Sequence, residues 1–502
     1  MDFILICFII VYNVLAFLIN LRILYIFEDK DDSRGFLKET IFSRLLILIG
    51  LQLLWLNFIL VPISILNKYP IIGNQNLRTV NVGIFFNFIL VTNILFISLL
   101  LPFSMFHYET QFDTKIGLNR SYTPYLFTII VLVIIWTLIG GNYGVFREII
   151  INHISDLTCN ELINLGFVSS AECTNNKLYV NGSFFISTTS LFLFVGYIYN
   201  IIFVGIGCIL VPLYLIYIFQ KRPKKLSKDE YKCKIAEILE ISKSLSIKGE
   251  ELKKKYENCL ENKNDNIFSS SYILSINEKR NIKNKIRKYE KEVISLNAYL
   301  ENIEFGYNNK SEDYMYLIAI SVLLFFSLLL SLSLFIIFII NLIIDSNKII
   351  NYSGNQFINL LFIIFSIIFP IYLGICVCFT WNILAQKVCY CFPLHIMAKS
   401  KTPLNSMIFN IGIVLFSTIN IIYITNLSSS WLFKSDLYYL FLLASNTKLN
   451  YKCIPNHILV YSLFGVSIST LIIYFTSFIW DNGIKISQEM PKILTRYTKS
   501  NK

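Results

Sequence analysis

The sequence contains too little charge for a soluble chain of its length. Only 15% of its 502 residues are Asp, Glu, Lys or Arg, whereas 55% are apolar. A soluble domain of this size buries its apolar residues in a core and needs a charged surface, but here they form long unbroken blocks. Ten-residue segments of alternating polarity, which are typical of membrane β-barrels, are absent. These two absences exclude a soluble domain and a barrel.

Catalytic and metal-binding motifs are also missing. There is no phosphate-binding glycine loop, zinc-protease motif, nucleophile elbow or EF-hand loop. The four histidines lie at or beyond the ends of the apolar blocks, and the eleven cysteines form no pair of CxxC motifs. The sequence therefore predicts no enzyme, no metal and no cofactor. The net charge of +12 is not organised into a basic face with aromatic residues, so a nucleic-acid partner is not expected either.

The apolar residues instead form blocks long enough to cross a bilayer, whose hydrocarbon layer of about 30 Å needs about 20 residues of helix. The blocks are Phe3–Phe27, Leu45–Leu66, Val82–Phe106, Tyr125–Gly140, Phe184–Phe219, Met315–Ile344, Phe357–Thr380, Leu404–Thr425 and Ile458–Trp480. We therefore predict an all-α polytopic membrane protein with about nine transmembrane helices, whose first partner is the lipid bilayer. The fifth and sixth blocks exceed one crossing, and we expect each to form a single helix that projects beyond the membrane.

The distribution of positive charge predicts the orientation. The positive charges of the first block, Arg22, Lys30, Arg34 and Lys38, lie on its C-terminal side, which favours an uncleaved first span with its N-terminus outside or in a lumen. If successive connecting segments then lie on alternate sides of the membrane, the basic loops and the basic tail, 481–502, lie in the cytosol. Eight or ten spans would put either the tail or the long basic insert on the wrong side of the membrane.

The long insert, 221–314, separates spans 1–5 (residues 1–220) from spans 6–9 (residues 315–480). Its second half has apolar residues at alternating steps of four and three, which is a heptad seam: Ile282, Ile286, Tyr289, Val293, Leu296, Leu300 and Ile303. A looser version of the pattern in its first half includes Ile238, Ile241 and Leu245. We predict a coiled-coil-like helical hairpin in the cytosol, whose seam binds protein partners. The alternative is a solvated charged linker.

Uncharged polar residues interrupt several spans and form the candidate ligand path: Asn57, Asn87, Asn93, Asn200, Asn410 and Asn420. One interpretation is a polar-lined passage or binding site for a small organic ligand. The other is hydrogen bonding between helices, worth about 0.6 kcal/mol per pair. The sequence favours the second interpretation and leaves the first open.

Two pairs of cysteines are candidates for modification. Cys159 and Cys173 share the longest outside loop and could form a disulfide in an oxidising lumen, with Cys453 as a competing partner. Cys389 and Cys391 lie just inside the seventh span, where juxtamembrane cysteines are candidates for palmitoylation. Unmodified thiols in a reducing cytosol are the alternative.

The ordered set of features resembles one known family. Span two ends Leu60-Val-Pro-Ile-Ser64, span three ends Leu101-Pro-Phe-Ser104 before His107-Tyr-Glu109, and span five leaves through Cys208-Ile-Leu-Val-Pro-Leu213. With nine spans and a helical insert after the fifth, this is similar to the limb-region/lipocalin-interacting membrane receptor (LMBR-like) family, which includes lysosomal cobalamin exporter-like proteins. The resemblance implies endocytic reception, cobalamin export, or regulation of receptor signalling and trafficking, and it implies no catalytic residue.

Two hypotheses for function follow. The first is a receptor-like or trafficking protein that binds protein partners through the cytosolic hairpin. The second is a transporter of a small organic molecule such as cobalamin, motivated by the asparagines of spans three and eight. Either function is compatible with the plasma membrane or an endolysosomal membrane.

Overall fold

A computed structural model describes most of the membrane helices and part of the connecting segments. The described residues are 3–28, 37–68, 82–112, 123–146, 148–152, 168–174, 177–220, 226–261, 314–343, 356–388, 402–429, 435–447 and 456–479, with single positions between 289 and 307. The chain divides into two compact units. The first contains residues 1–212 and 327–470, and the second contains residues 213–326 and 471–502.

Helices account for nearly all of the described structure. They are α1 (Phe3–Phe27), α2 (Leu37–Lys68), α3 (Val82–Leu95), a π-helical turn (Phe96–Leu100), α4 (Leu101–Phe112), α5 (Thr123–Phe146), α6 (Phe184–Gln220), α7 (Lys228–Glu261), α8 (Tyr314–Ile343), α9 (Gln356–Val388), α10 (Leu404–Ser429), α11 (Asp436–Ser445) and α12 (Asn456–Ile479). Between α5 and α6 lie three strands, β1 (Glu148–Asn152), β2 (Val168–Thr174) and β3 (Lys177–Gly182). Their antiparallel sheet has the order β1-β3-β2.

The all-α membrane architecture predicted from the sequence is confirmed, with the small sheet as an addition outside the spans. In the described part of the chain, eight helical segments are long and apolar enough to cross a membrane, and they coincide with the first eight predicted blocks. The ninth block falls in α12, a helix of 24 residues, of which Ser462–Ile473 is the apolar part with described side chains. A ninth span therefore stays a prediction. As expected, α6 is one continuous helix of 37 residues that contains Pro212.

Two helices form the centre of the first unit. In α10 and α2, 78% and 67% of the membrane-spanning residues are buried, compared with 17% in α1 and in α5, which therefore lie at the periphery. The helix α10 packs against α2, α4, α9 and α11, and α2 packs in addition against α1, α3 and α9. The buried polar residues of α10 consequently lie inside the bundle.

A polar ladder joins the peripheral α1 to α2. Trp55 Nε1 donates to Asn20 Oδ1 at 2.8 Å, and Asn20 Nδ2 donates to Gln52 Oε1 at 3.1 Å. Gln52 Nε2 in turn donates to Asn13 Oδ1 at 2.8 Å. At the end of α1, Arg44 Nε lies 2.6 Å from Glu28 Oε1. Because hydrophobic burial does not hold helices together in lipid, these bonds are what fix α1 in place.

A reciprocal amide pair joins α2 to α3. Asn57 Nδ2 donates to Asn93 Oδ1 at 3.2 Å, and Asn93 Nδ2 donates to Asn57 Oδ1 at 2.9 Å. Both residues are almost fully buried, with 1% and 2% of their surface exposed. Each amide therefore satisfies the other in a place that water does not reach.

The short helix α11 closes one end of the bundle, which is the outside end in the predicted orientation. It contacts α2, α3, α10 and β1. Its N-cap, Ser435, accepts from the Tyr438 amide and donates to Asn426 Oδ1, and the Leu437 amide donates to Ser64 Oγ. Just beyond its C-terminus, the hydroxyl of Thr447 hydrogen-bonds to that of Ser190, and its backbone pairs with Ile149 of β1.

The second unit contains a helix pair with its own core. Ile238, Ile241 and Leu245 of α7, the first arm, form a buried cluster with Leu296 and Ile303 of the second arm, the described positions between 289 and 307. Lys248 Nζ and Glu292 Oε2 form an ion pair between the arms at 2.7 Å. The predicted turn at 262–271 lies outside the described residues, so the complete hairpin stays a prediction.

The start of α7 is a capping box. The Ser227 amide donates to Glu230 Oε2 at 3.0 Å, and the Glu230 amide donates to Ser227 Oγ at 3.3 Å. The first of these bonds lowers the pKa of Glu230 below its ordinary value. Further along, burial raises the pKa of Tyr299, and the carboxylate of Glu237 raises it further.

The reciprocal pair predicts non-additive substitutions. Asn93→Leu leaves the Asn57 side chain buried without its partner, and we expect a loss of about 1–3 kcal/mol in stability. Adding Asn57→Leu also removes the side chain that was left without its partner. The double variant therefore loses less stability than the sum of the losses in the two single variants. A double-mutant cycle of thermal unfolding in detergent measures this coupling, and strictly additive losses would contradict the pairing.

The core of the second unit predicts a contrast between two neighbouring positions on α7. Ile241 is 7% exposed, whereas Leu239 is 55% exposed. Ile241→Asp buries a carboxylate without a partner and should destabilise the unit by at least about 2 kcal/mol. Leu239→Asp, the matched control, should have little effect. Limited proteolysis of the full-length protein reports the difference, and equal cleavage of both variants argues against the packing of the two arms.

Candidate ligand site in the membrane helices

Glycines let α6 approach its neighbours closely. A β-carbon on Gly196 would lie 3.3 Å from Asn420 Cβ of α10, and one on Gly207 would lie 2.6 Å from the Cys376 carbonyl oxygen of α9. The second distance is shorter than any real contact of a β-carbon, so α6 and α9 could not pack this way with a larger residue. Small residues at such positions are typical of helix pairs in membranes.

Next to Gly196 lie Asn200, Ser417 and Asn420, which we call the amide cluster. Asn200 Nδ2 donates to the Ser417 carbonyl oxygen across the α6–α10 interface at 3.3 Å, and the side chains of both asparagines are 1% exposed. Among the described residues, neither polar atom of the Asn420 side chain has a hydrogen-bond partner, and neither has Asn200 Oδ1. A buried polar group without a partner costs about 1–3 kcal/mol, so the cluster has unused hydrogen-bonding capacity.

The other asparagines of the predicted ligand path lie in different surroundings. Asn57 and Asn93 satisfy each other, as the structural interpretation of the sequence expects. Asn410 Nδ2 donates to the Ser406 carbonyl of its own helix at 2.6 Å. Asn87 is partly buried on α3, and its Oδ1 accepts no hydrogen bond among the described residues. The structure thus brings together only Asn200 and Asn420 in an interface with unpaired amide atoms.

A π-helical turn interrupts the third span near this cluster. The Leu101 amide donates to the Phe96 carbonyl, five residues back, instead of four. Pro102 follows directly and cannot donate an amide hydrogen to the preceding turn. Ser98, within the turn, is fully buried, and its hydroxyl has no partner among the described residues. Such turns are common at functional sites in membrane and soluble helices alike.

Between the π-helical turn, α6 and α10 lies an apolar cleft of about 200 Å³. Gly412 contributes to its shape, because a side chain there would collide with Leu101. The cleft is lined by Ile97, Leu101, Tyr199, Phe409, Gly412, Ile413 and Phe416. None of these residues is charged.

Two aromatic residues near the cleft have unused donors, although only Tyr199 is among the lining residues and the surface of the cleft is entirely apolar. Tyr199 stacks on Phe203 with ring centroids 4.0 Å apart, and Trp381 bridges Phe203 and Phe409 at 5.9 and 5.8 Å. The Tyr199 hydroxyl and Trp381 Nε1 are buried without a partner among the described residues. Asn200 follows Tyr199 in the sequence and Asn420 lies one turn beyond Phe416, but no residue of the amide cluster is among the residues that line the cleft.

The hypothesis of a partner-binding seam requires the seam residues to be accessible to another protein. Several of them are instead packed within the second unit. Leu296 and Ile303 are buried against α7, and Tyr289 and Leu300 are packed on the same cluster. The ring of Tyr289 lies over Gly249, where a β-carbon would approach its hydroxyl to 2.5 Å. These seam residues hold the two arms together. Ile282 and Ile286 lie outside the described residues, and the side chain of Val293 is only partly buried.

The modification candidates are largely outside the described part of the chain. Cys159, Cys389 and Cys391 are not among the described residues, and Cys173 is known only as a backbone position in β2, paired with Leu178 of β3. Those hypotheses stay predictions. Among the described residues, no group of three or more His, Cys, Asp or Glu side chains could hold a metal ion.

Sequence reasoning missed Tyr199, the cleft and α11. An available signal for the cleft was Pro102 close after Ser98 in an apolar span, which indicates a local break in the helix. Tyr199 had no such signal, because an aromatic residue in a span is usually a packing residue. For α11, Ser435-Asp436 before an apolar run is a helix start, but ten residues are too few for a span.

The fold and the site together define a multi-pass membrane protein with a polar cluster inside an apolar helix bundle. The family model of LMBR1-like membrane proteins matches residues 4–301, more than half of the chain. This chain belongs to that family, as its resemblance in sequence suggested.

Plant proteins are among its relatives. Two LIMR family proteins of Arabidopsis thaliana are 23% and 22% identical to it over 455 residues, covering 82% of this chain and 84% of each relative. A LIMR family protein of Oryza sativa subsp. japonica is 23% identical over 463 residues, covering 82% of this chain and 83% of the relative. No solved structure matches the chain.

Proposed function

We propose that the protein binds a small organic molecule among its membrane helices and carries it across the membrane. The observation that carries the proposal is Asn420, a side chain that is 1% exposed and has no hydrogen-bond partner among the described residues. The amides of Asn57 and Asn93, by contrast, satisfy each other. A ligand that accepts from and donates to Asn420 would supply the missing bonds.

The arrangement around the site is compatible with a carrier. In the predicted orientation, α11 closes the bundle on the outside, and the cleft lies on the cytosolic side of the amide cluster. The π-helical turn supplies a position at which a helix can shift, because its hydrogen bonding departs from that of a regular α-helix. The absence of charged residues from the site argues for a cargo without a net charge at its binding end.

Flux in sealed vesicles tests the transport proposal. Purified protein is reconstituted, and uptake of labelled cobalamin and of a labelled long-chain alcohol is measured separately. We expect saturable uptake of one probe, reduced about tenfold by Asn420→Leu, since one or two hydrogen bonds to the cargo are lost.

The matched control is Thr92→Val, which also replaces a polar side chain in a span. Thr92 is partly exposed and bonds only within its own helix, to the Phe88 carbonyl at 2.8 Å, so flux should be unchanged. Uptake no faster than in empty vesicles, with a correctly folded protein, would count against transport of either probe.

A second candidate function is a receptor-like or trafficking role through the charged second unit. Because the seam is occupied by packing between its arms, a partner would contact the other side of α7. Leu239 and Ile247, 55% and 62% exposed, lie two turns apart there with Lys243 between them. Exposed apolar residues on an otherwise charged helix favour an amphipathic partner helix.

Partner binding is tested with the double variant Leu239→Asp/Ile247→Asp in the full-length protein. Its control is Lys232→Asp/Lys254→Asp, which puts the same acidic groups on exposed positions of the same helix. We expect proteins that co-purify with the native chain to be lost from the first variant and retained by the second. Identical sets of co-purifying proteins from both variants would rule out this surface as the partner site.

A further inference from the structure

Two buried cysteines meet where α6 crosses α9. We propose that Cys208 and Cys376 form a redox-sensitive pair, in which oxidation converts two thiols into a disulfide that ties the two helices together. Both residues are free thiols in the structure. The pair contains no residue of the amide cluster, and its oxidation does not depend on transport.

The backbones of the two helices are close at this point. A β-carbon on Gly207, the neighbour of Cys208 in α6, would lie 2.6 Å from the β-carbon of Cys376 in α9. The side chains of Cys208 and Cys376 interact with each other, and the two residues are 1% and 0% exposed. A disulfide needs two α-carbons about 4.4–6.8 Å apart with facing side chains. Gly207 permits that proximity, because a larger residue there would force the helices apart.

Two hydroxyl groups complete the site. Pro212 has no amide hydrogen, so the carbonyl of Cys208, four residues earlier, lacks its usual helical donor. Ser331 Oγ of α8 donates to that carbonyl at 2.8 Å. Because a serine hydroxyl has only one hydrogen, the bond between Ser331 and Tyr372 is donated by the Tyr372 hydroxyl. Tyr372, one turn before Cys376 on α9, also interacts with both thiols and can therefore pass on a proton.

The surroundings favour a disulfide over a bound metal ion. A soft ion such as Cu(I) binds thiolates, so both cysteines would have to lose their protons. The resulting complex would carry a net negative charge, and the membrane-spanning parts of α6, α8 and α9 contain no Lys or Arg to compensate it. A disulfide is uncharged, as are the two thiols that it replaces. Either redox state is therefore compatible with a site that water does not reach.

The oxidant in this reaction is a small uncharged peroxide such as hydrogen peroxide, which can cross the bilayer. The sulfur of one cysteine attacks a peroxide oxygen, the O–O bond breaks, and the thiol proton moves to the departing oxygen to form water. The second thiol then attacks the sulfenic acid, forms the S–S bond and releases a second water. Two thiols and one hydrogen peroxide give one disulfide and two waters, and the peroxide takes up both electrons. Because no positive charge stabilises a thiolate here, the reaction is slower than that of an activated cysteine.

The disulfide has a consequence that can be measured directly. Cys208 lies in the fifth span and Cys376 in the seventh, so the insert 221–314 separates them in the sequence. After oxidation, the two halves of the chain stay joined by a covalent bond even when the insert is cut.

Cutting the oxidised protein therefore tests the proposal. The full-length chain receives a protease recognition site in the predicted turn at 262–271 and is reconstituted in lipid nanodiscs. It is treated with hydrogen peroxide, cut, and denatured with N-ethylmaleimide to block the remaining thiols. We expect the two fragments to migrate together on a gel without reductant and to separate when reductant is added. Mass spectrometry of the joined fragments should identify a peptide pair linked through Cys208 and Cys376.

Three variants identify the cysteines responsible. Cys208→Ala and Cys376→Ala should each abolish that linked peptide pair and the joined band. Cys378→Ala, which removes a cysteine two residues further along α9, is the matched control and should retain both. Size-exclusion elution like that of the native protein shows that each variant is folded.

Two results would overturn the proposal. One is the absence of the Cys208–Cys376 peptide pair after oxidation of the folded native protein. The other is a joined band that is equally strong in Cys208→Ala, since the link would then come from other cysteines. Neither result depends on the identity of a cargo, so the pair and the carrier are tested separately.

Discussion

In the hydrocarbon layer every polar group must find its partner inside the protein, and the arrangement of this bundle depends on that constraint. Apolar surface gives the helices no reason to associate, since lipid is as apolar as they are. The ladder from Asn13 to Trp55 attaches α1, and the Asn57–Asn93 pair attaches α3 to α2. Asn420 differs from these paired amides, because neither polar atom of its side chain has a hydrogen-bond partner among the described residues.

The same constraint determines which ligands the proposed site could accept. Neutral amide and hydroxyl groups can hold a dipole but cannot compensate an ion. The close approach of α6 at Gly196 and Gly207 makes this environment rigid on one side, while the π-helical turn leaves it irregular on the other. The proposed binding site thus depends on an irregularity in a membrane helix.

Sequence reasoning recovered what depends on hydropathy along the chain, which includes eight helices and the continuous α6. It listed Asn57, Asn93, Asn200 and Asn420 together, because each is an amide in an apolar span. The pairing of these asparagines depends on how neighbouring helices are rotated and shifted along their axes. Those positions are set by contacts between residues distant in sequence, such as Gly196 with Asn420, so the sequence alone does not reveal them. The heptad residues of the second unit were recognised, but periodicity does not reveal whether the partner of a seam is another chain or the adjacent arm.

The buried helix α11 has a consequence for how the protein is made. With ten residues it is too short to be inserted as a span, and its neighbours α2, α3 and α10 come from both ends of the chain. It can reach its place only after those helices have been inserted and have assembled, so it completes the fold late. Biogenesis therefore passes through a stage with α2, α3 and α10 in the bilayer and one end of the bundle still uncovered, which is the stage that quality-control proteases and chaperones would meet.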